Sequence, residues 1–355
     1  MRAQVGRAAA HALSLVRFGN WWAQKLPPLL FVAYVELIRR QASPRASLAT
    51  IGVLLLCVSC VAAYGHVVND WCDIADDERA GKPNAMRDLR PAQRAALCLG
   101  CVVVSFAALV PWPVWPVWAI LALNYAWPTL YSVPPVRLKE RGLLGVLTDA
   151  AGSHITPTAF AFALAGAIAG GPGDPLLLAA VLCWATALGL KGILYHQIAD
   201  KANDERAGVV TFATARDASV LSAALARYNL WVEVPISLCV VALIATLVPL
   251  AVVALVLYVA LEFTKYRLGF EFAVSADARL RRPSVPFANE MFYTLWMPLA
   301  ACVQLAVRDA WLAWLPLAHC VLFGQQVIVQ FRDASAVAGQ FRLRFHHLRS
   351  KGARR

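Results

Sequence analysis

The chain has 355 residues, 60% of them from the AVILMFWYC set and only 15% charged, with a net charge of +12 from 33 Lys and Arg against 21 Asp and Glu. A soluble domain carries about 45–50% apolar residues and about 25% charge, and at a mean hydropathy of +0.59 this chain lacks the polar surface to cover itself in water. Disorder, a collagen-like repeat and a secreted disulfide scaffold are excluded, which leaves an all-α, polytopic transmembrane bundle.

The opening stretch MRAQVGRAAAHALSLVRFGNWW has no sustained apolar core before a small-residue cleavage site. Residues 1–25 therefore read as a cytoplasmic segment and not as a cleaved signal peptide. A helix needs about 20 apolar residues to cross the hydrocarbon. Ten stretches qualify, at 26–41, 47–65, 92–110, 113–131, 144–169, 175–195, 229–248, 250–266, 288–306 and 311–329. The count falls to nine if 288–329 holds one span and an interfacial segment. Residues 26–330 form the membrane domain on this reading, and 331–355 a basic tail.

The bases cluster in short gaps, which is how membrane proteins set their orientation and not the footprint of a nucleic-acid site. With a cytoplasmic N-terminus, Arg79, Lys82, Arg87, Arg90 and Arg94 lie inside, as do Arg137, Lys139 and Arg141. Lys201, Arg206 and Arg216 follow, then Lys265, Arg267, Arg279, Arg281 and Arg282. The opposite gaps PWPVWPV, GGPGDP and LVPL carry no base, while Arg39, Arg40 and Arg45 break the pattern. The tail through Arg354 also falls inside. This is the layout of a protein of a bacterial inner membrane with its polar loops toward the cytoplasm. The pairs Cys57/Cys60 and Cys98/Cys101 lie within apolar runs, too far apart for a zinc ribbon, and read as packing residues.

Two cytoplasmic segments stand out. One reads NDWCDIADDERAGK from Asn69 and the other HQIADKANDERAGV from His196. DIADDERAG and DKANDERAG agree at seven of nine positions, offset by 127 residues, after the second and sixth expected spans. Duplication of a helical block explains this and implies two pseudo-symmetric halves. Asn69, Asp73 and Asp77 are spaced i, i+4, i+8 and share a helix face, as do His196, Asp200 and Asp204; Asp70 and Asp76 flank the first face.

A carboxylate in mid-membrane costs about 2.5–3.5 kcal/mol even on the mild scale, so these groups face a polar cavity. Two rows of carboxylates hold hard divalent cations through oxygen. They repel an anion directly, since like unit charges about 4 Å apart cost roughly 4 kcal/mol at an effective dielectric of 20. With Mg²⁺ between them the sign reverses, and the natural ligand is a diphosphate. Arg137, Lys139 and Arg141 in YSVPPVRLKERG, together with Lys191, are the candidate cations that complete the cage.

Asn69-Asp70-Trp71-Cys72-Asp73-Ile74-Ala75-Asp76-Asp77 resembles the NDxxDxxxD motif of the UbiA-type intramembrane prenyltransferases. Asp200-Lys201-Ala202-Asn203-Asp204 resembles their second motif, DxxxD, preceded here by Lys191 and Tyr195, and Tyr131–Lys139 resembles their basic loop. The likeness covers roughly residues 15–300. It implies a bundle of usually nine spans around a cavity open to lipid, in which both motifs hold Mg²⁺ and a polyprenyl diphosphate. Pro83-Asn84-Ala85-Met86 departs from the Thr-Arg-Pro run of quinone-pathway members, and His196-Gln197 from the usual lead-in to the second motif.

The chemistry expected of such a site is ionisation of an allylic C–O bond, with metal and basic side chains stabilising the departing diphosphate. Tyr125, Trp127, Tyr131 and Tyr195 are candidates to shield the allylic cation. An acceptor then captures it, with either Asp70 or Asp73 as the base. Asp149 and His154 are candidates to line the cavity or bind the acceptor, because intramembrane ionisable groups face the bundle interior, and a plain interhelical hydrogen bond is the alternative. The expected activity is prenyl transfer to an acceptor. One alternative is a terpene cyclase that captures the cation internally. Another is a cation transporter, against which stands the clustering of acids at a single membrane level. Acceptor, prenyl length and oligomeric state leave no mark in the sequence.

Overall fold

A computed structural model describes residues 13–269 and 289–352. The basic loop with Arg279, Arg281 and Arg282, the first residue of the ninth expected span, Ala288, and the tail at Arg354 lie outside them. Every regular element among the described residues is helical. In chain order these are α1 (Phe18–Arg39), α2 (Pro44–Cys72), α3 (Ile74–Ala80), α4 (Pro91–Ala108), α5 (Trp115–Ser132), α6 (Leu143–Ala150) and α7 (Thr156–Ala169). They are followed by α8 (Pro175–Ala207), α9 (Ala218–Tyr228), α10 (Val234–Ile244), α11 (Pro249–Leu268), α12 (Met297–Val307), α13 (Leu315–Leu322) and α14 (Gly324–Gly352).

Among the described residues, five helices are long and apolar enough to cross a membrane, or six if the pair Ala310–Leu322 and Gly324–Arg342, bent by 80°, counts as one. The larger sequence-based count also included α1, α5, α6 with α7, and α12. These carry internal charges or prolines, or are broken by a wider turn. α1 begins at Phe18, inside the segment expected to precede the bundle, and α14 runs through the expected boundary at residue 330.

α1 is the axis of the fold. Leu26, Leu29, Leu30, Phe31, Val32, Ala33, Tyr34, Val35, Leu37 and Ile38 are all buried, as expected of a helix that is apolar on every side. It packs on α2, α7 and α12, while α2 packs on α4 and α5, and α8 on α6, α9 and α10. The outward faces of α4 (Leu99, Val103) and α11 (Val256, Leu257, Phe263) expose apolar side chains, which suits contact with lipid.

The end of α1 opposite the acidic motifs explains the bases that broke the charge pattern. Glu36 has no accessible surface and binds both Arg39 Nε (2.9 Å) and Arg40 Nε (2.8 Å). The two guanidinium groups then donate to carbonyls of the turn between α7 and α8, Arg39 to Pro172 (2.7 Å) and Arg40 to Gly170 and Gly171. They act as a carbonyl clamp.

Among the described residues, three helical rods widen for one π turn, at Ala151–Ile155, Asn229–Glu233 and Phe292–Trp296. The cause is readable in AGSHITP, NLWVEVP and FYTLWMP. Each turn is followed two residues later by Pro157, Pro235 or Pro298, which has no N–H for the i−4 carbonyl. The residue before each proline bonds one position further back, as in Thr156 N to Ala151 O. Two glycines let the first π turn sit deep in the bundle. A Cβ at Gly152 would stand 2.7 Å from Trp127 Cβ, and one at Gly189 would stand 3.0 Å from Ala150 Cα.

Candidate active site

The two acidic motifs fold onto facing walls of one cavity of about 210 Å³. Asn69, Asp73, Asp76 and Asp77 stand on one side, and Ile193, His196, Gln197, Asp200 and Asp204 on the other. Arg17, Lys82, Tyr131, Arg137 and Lys139 also line it, with Ala80, Val209 and Thr211. α3 lies directly against α8, which brings the repeats together.

The repeats are alike in their ends and different in their middles. Both stop at a left-handed glycine, Gly81 (φ 67°) and Gly208 (φ 71°), whose N–H closes the last turn. The second motif stays within the continuous helix α8, as its spacing requires. The first does not: the helix breaks at Asp73 (φ −99°, ψ 6°), so α3 leaves the line of α2. The one-face expectation for Asn69, Asp73 and Asp77 is thereby corrected, although all three still line the cavity.

The basic loop closes over that break. Arg137, in a left-handed conformation (φ 37°), binds Asp73 at 3.1 Å and also pairs with Asp76 and Glu140. Lys139 is 8% exposed and donates to both carboxylate oxygens of Asp73 and to Asn69 Oδ1 (3.4 Å). Burial alone would raise the Asp76 pKa, but hydrogen bonds from Arg79 and Arg137 hold it below its ordinary value. Asn84, in the run that departs from the quinone-pathway pattern, donates to Asp77 Oδ2 at 2.8 Å and to the Asp70 carbonyl at 2.8 Å.

Other expected residues fall elsewhere. Asp70 is fully buried and salt-bridged to Arg17 at 2.8 Å, turned away from the lining. Lys191 is not on the cavity wall. It binds Glu233 (2.7 Å) and Glu290 (3.1 Å) in a buried network that includes Asn229, Asn289 and Tyr293. Tyr195 stands off the wall against the His196 ring, 5.9 Å between centroids. Arg141 bonds to the Pro135 carbonyl. Tyr125 is held by Ser105 (2.7 Å) and the Cys101 carbonyl, on α4. Asp149 and His154 lie deeper, on α6 and its π turn.

Arg17, Lys25 and Lys82 escaped the sequence reading. Lys82 follows the first motif's glycine, and Arg17 reaches the cavity from just before α1. Lys25 was the detectable one, because it interrupts an apolar helix.

The donors fit a hard cation and a polar anion. Asn69, Asp73, Asp77, Asp200 and Asp204 offer only oxygen ligands, and among the described residues no three acidic, His or Cys side chains are gathered tightly enough to hold a metal unaided. Acids on opposite walls leave coordination places for ligand oxygens. Gln197 is 5% exposed, and both polar atoms of its amide lack a hydrogen-bond partner among the described residues. A buried, unsatisfied amide on a cavity wall calls for a polar ligand.

Twinned acidic motifs and a basic loop thus surround one interior cavity of an all-helical bundle. The sequence model of the UbiA prenyltransferase family matches residues 26–269, and the chain belongs to that family. No curated protein matches it. Among solved structures, a UbiA homolog from Archaeoglobus fulgidus bound to DMAPP and Mg²⁺ superposes with a TM-score of 0.54 at 14% identity, over 83% of this chain and 99% of its own. The same homolog bound to GPP and Mg²⁺ gives 0.54 at 15%, with the same coverage. Bound to Cd²⁺ it gives 0.50 at 14%, over 83% and 98%. At these identities the likeness is one of fold.

Proposed function

We propose that the protein is a Mg²⁺-dependent prenyltransferase that moves a prenyl group from a polyprenyl diphosphate to an acceptor, at the cytoplasmic face of a bacterial inner membrane. The observation that carries this reading is the meeting of both acidic motifs and the basic loop in one cavity. Homologs of the same fold bound to DMAPP or GPP with Mg²⁺ support it, as does the absence of bases from the opposite gaps.

Asn69, Asp73 and Asp77 on one wall and Asp200 and Asp204 on the other would hold the metal. When bound, the cation supplies positive charge that reverses the repulsion between acids and diphosphate and favours C–O cleavage. Arg137, Lys139 and Lys82 take up the negative charge that grows on the diphosphate as the bond breaks. Lys139 and Arg137 are held in advance by Asp73 and Asp76, so little reorganisation is needed. Gln197 donates to, or accepts from, the polar part of the substrate. The Tyr131 ring is the one expected aromatic on the cavity wall, and its face suits the allylic cation.

The test is incubation of purified protein with geranyl diphosphate, with and without Mg²⁺, reading diphosphate release and organic products. Release that needs Mg²⁺ is the expected result. No release and no binding would refute the reading, and a cyclic hydrocarbon formed without acceptor would replace transfer by cyclisation.

A further inference from the structure

The two carboxylates expected to accept the acceptor's proton are both engaged. Asp70 is fully buried beneath Arg17, and Asp73 is gripped by Lys139 and Arg137. A proton has to leave whenever an X–H nucleophile captures the cation, so another group must receive it.

One helical turn deeper lies such a group. On α8, Gly192 and His196 share a face at i and i+4; His196 lines the cavity, and a Cβ at Gly192 would stand 3.6 Å from His154 Cε1. On α5, Trp127 and Tyr131 share a face in the same way; Tyr131 lines the cavity, and Trp127 packs on Gly152. Both walls thus lead from the cavity to the π turn that carries Ser153 and His154. Lys25, His66, Asp149, Ser153 and His154 are all only half-buried although they sit inside the bundle, so they border a water-accessible chamber.

The side chains there form an ordered relay. Ser153 Oγ lies 2.7 Å from His154 Nδ1 and 3.3 Å from Asp149 Oδ2. A carboxylate only accepts, so the hydroxyl proton goes to Asp149 and the imidazole proton on Nδ1 goes to Ser153. That leaves Nε2 as the basic nitrogen, with no hydrogen bond to protein among the described residues. The π turn, imposed by Pro157, is what aligns these residues.

We propose that His154 Nε2 is the general base of the reaction, oriented through Ser153 by Asp149. This rests on the prenyl-transfer reading above. The nucleophile's lone pair forms the new bond to the allylic carbon, whose C–O electron pair has left with the diphosphate. The nucleophile's proton passes to Nε2, and Asp149 balances the imidazolium. The other charged and titratable groups facing His154 are Lys25 from α1 and Lys191 and His196 from α8, with His66 of α2 and Tyr131 of α5 at the chamber's edge. The acceptor class is one bearing an ionisable X–H, such as a hydroxyl.

The experiment uses the full chain in nanodiscs, geranyl diphosphate carrying ¹⁸O at the bridging position, Mg²⁺, and water as the probe nucleophile. Movement of ¹⁸O to non-bridging positions reports ionisation and return; geraniol reports capture. In His154→Ala, scrambling is expected to persist while geraniol formation falls by roughly 10²-fold or more, to recover with added imidazole, and to lose its acidic limb in the pH profile. His154→Gln serves as the second variant if the first does not fold, folding being read from the thermal shift with Mg²⁺ and geranyl diphosphate. Capture at the wild-type rate in either folded variant overturns the proposal alone. Wild-type protein that neither scrambles nor hydrolyses the substrate overturns the prenyl-transfer reading, and the base with it.

Discussion

The Lys191 ammonium donates to Glu233 Oε1 at 2.7 Å, at a point where Glu233 has no accessible surface. Glu233 also accepts from Asn229 (3.0 Å) and Asn289 (2.8 Å), so its charge is met from three elements. Removing the lysine leaves a buried carboxylate short of its counter-charge. Lys191→Met is expected to cost about 3–5 kcal/mol of stability, read as a large fall in Tm in detergent. Glu233→Gln added to it should restore part of the loss, because the two residues act as a unit. A normal Tm with a lost Mg²⁺–geranyl diphosphate thermal shift would return Lys191 to the substrate.

The metal cage yields a second expectation. Asp73→Asn and Asp200→Asn keep side-chain size and remove one charge each from facing walls of the cavity. Each should lower turnover by orders of magnitude and shrink the ligand-induced thermal shift, and the double variant should lose less than the sum of the two. Additive losses would mean two separate sites.

Close packing around the π turn is a third. Gly152→Ala places a methyl 2.7 Å from Trp127 Cβ, and Gly189→Ala places one against Ala150 backbone. Neither neighbour is the loose end of a flexible side chain. Each variant is expected to lose about 1–3 kcal/mol, read as a fall in Tm, and an unchanged Tm would show that α5, α6 and α8 separate easily.

Orientation supplies the last. Cysteines placed at Asp77 and Asp204 in a background without reactive thiols are expected to resist impermeant maleimide applied from the periplasmic side. Labelling of one and not the other would place the motifs on opposite sides of the membrane and remove the shared cavity, and labelling of both would reverse the orientation.

The acidic repeat was legible because a seven-of-nine match survives in letters alone, and the all-helical class because the composition admits nothing else. The fate of Lys191 was hidden by its distance from the motif. Ile193, His196, Gln197, Asp200 and Asp204 share one face of α8, and a residue two positions before Ile193 points roughly 200° round the helix from it. Tyr195 misses the wall for the same reason. The break at Asp73 was hidden because nothing in NDWCDIADD forbids a continuous helix; the basic loop that binds both sides of the break arrives 64 residues later, as the Arg137–Asp73 bond shows. Arg17 joins the cavity wall only once α1 is packed at the centre, a tertiary fact with no local signal, whereas Lys25 was marked by the apolar helix that it interrupts.

The carbonyl clamp at the end of α1 bears on how the chain is assembled in the membrane. Arg40 finds its acceptors at Gly170 and Gly171, 130 and 131 positions later in the sequence. The first hairpin therefore emerges from the ribosome with two guanidinium groups bound to Glu36 and with donors still to be satisfied. They stay hydrated until the turn after α7 has been synthesised. The order of synthesis thus makes the α7–α8 turn the latch of the first hairpin, and its two glycines adopt the positive φ (75° and 79°) that the turn requires.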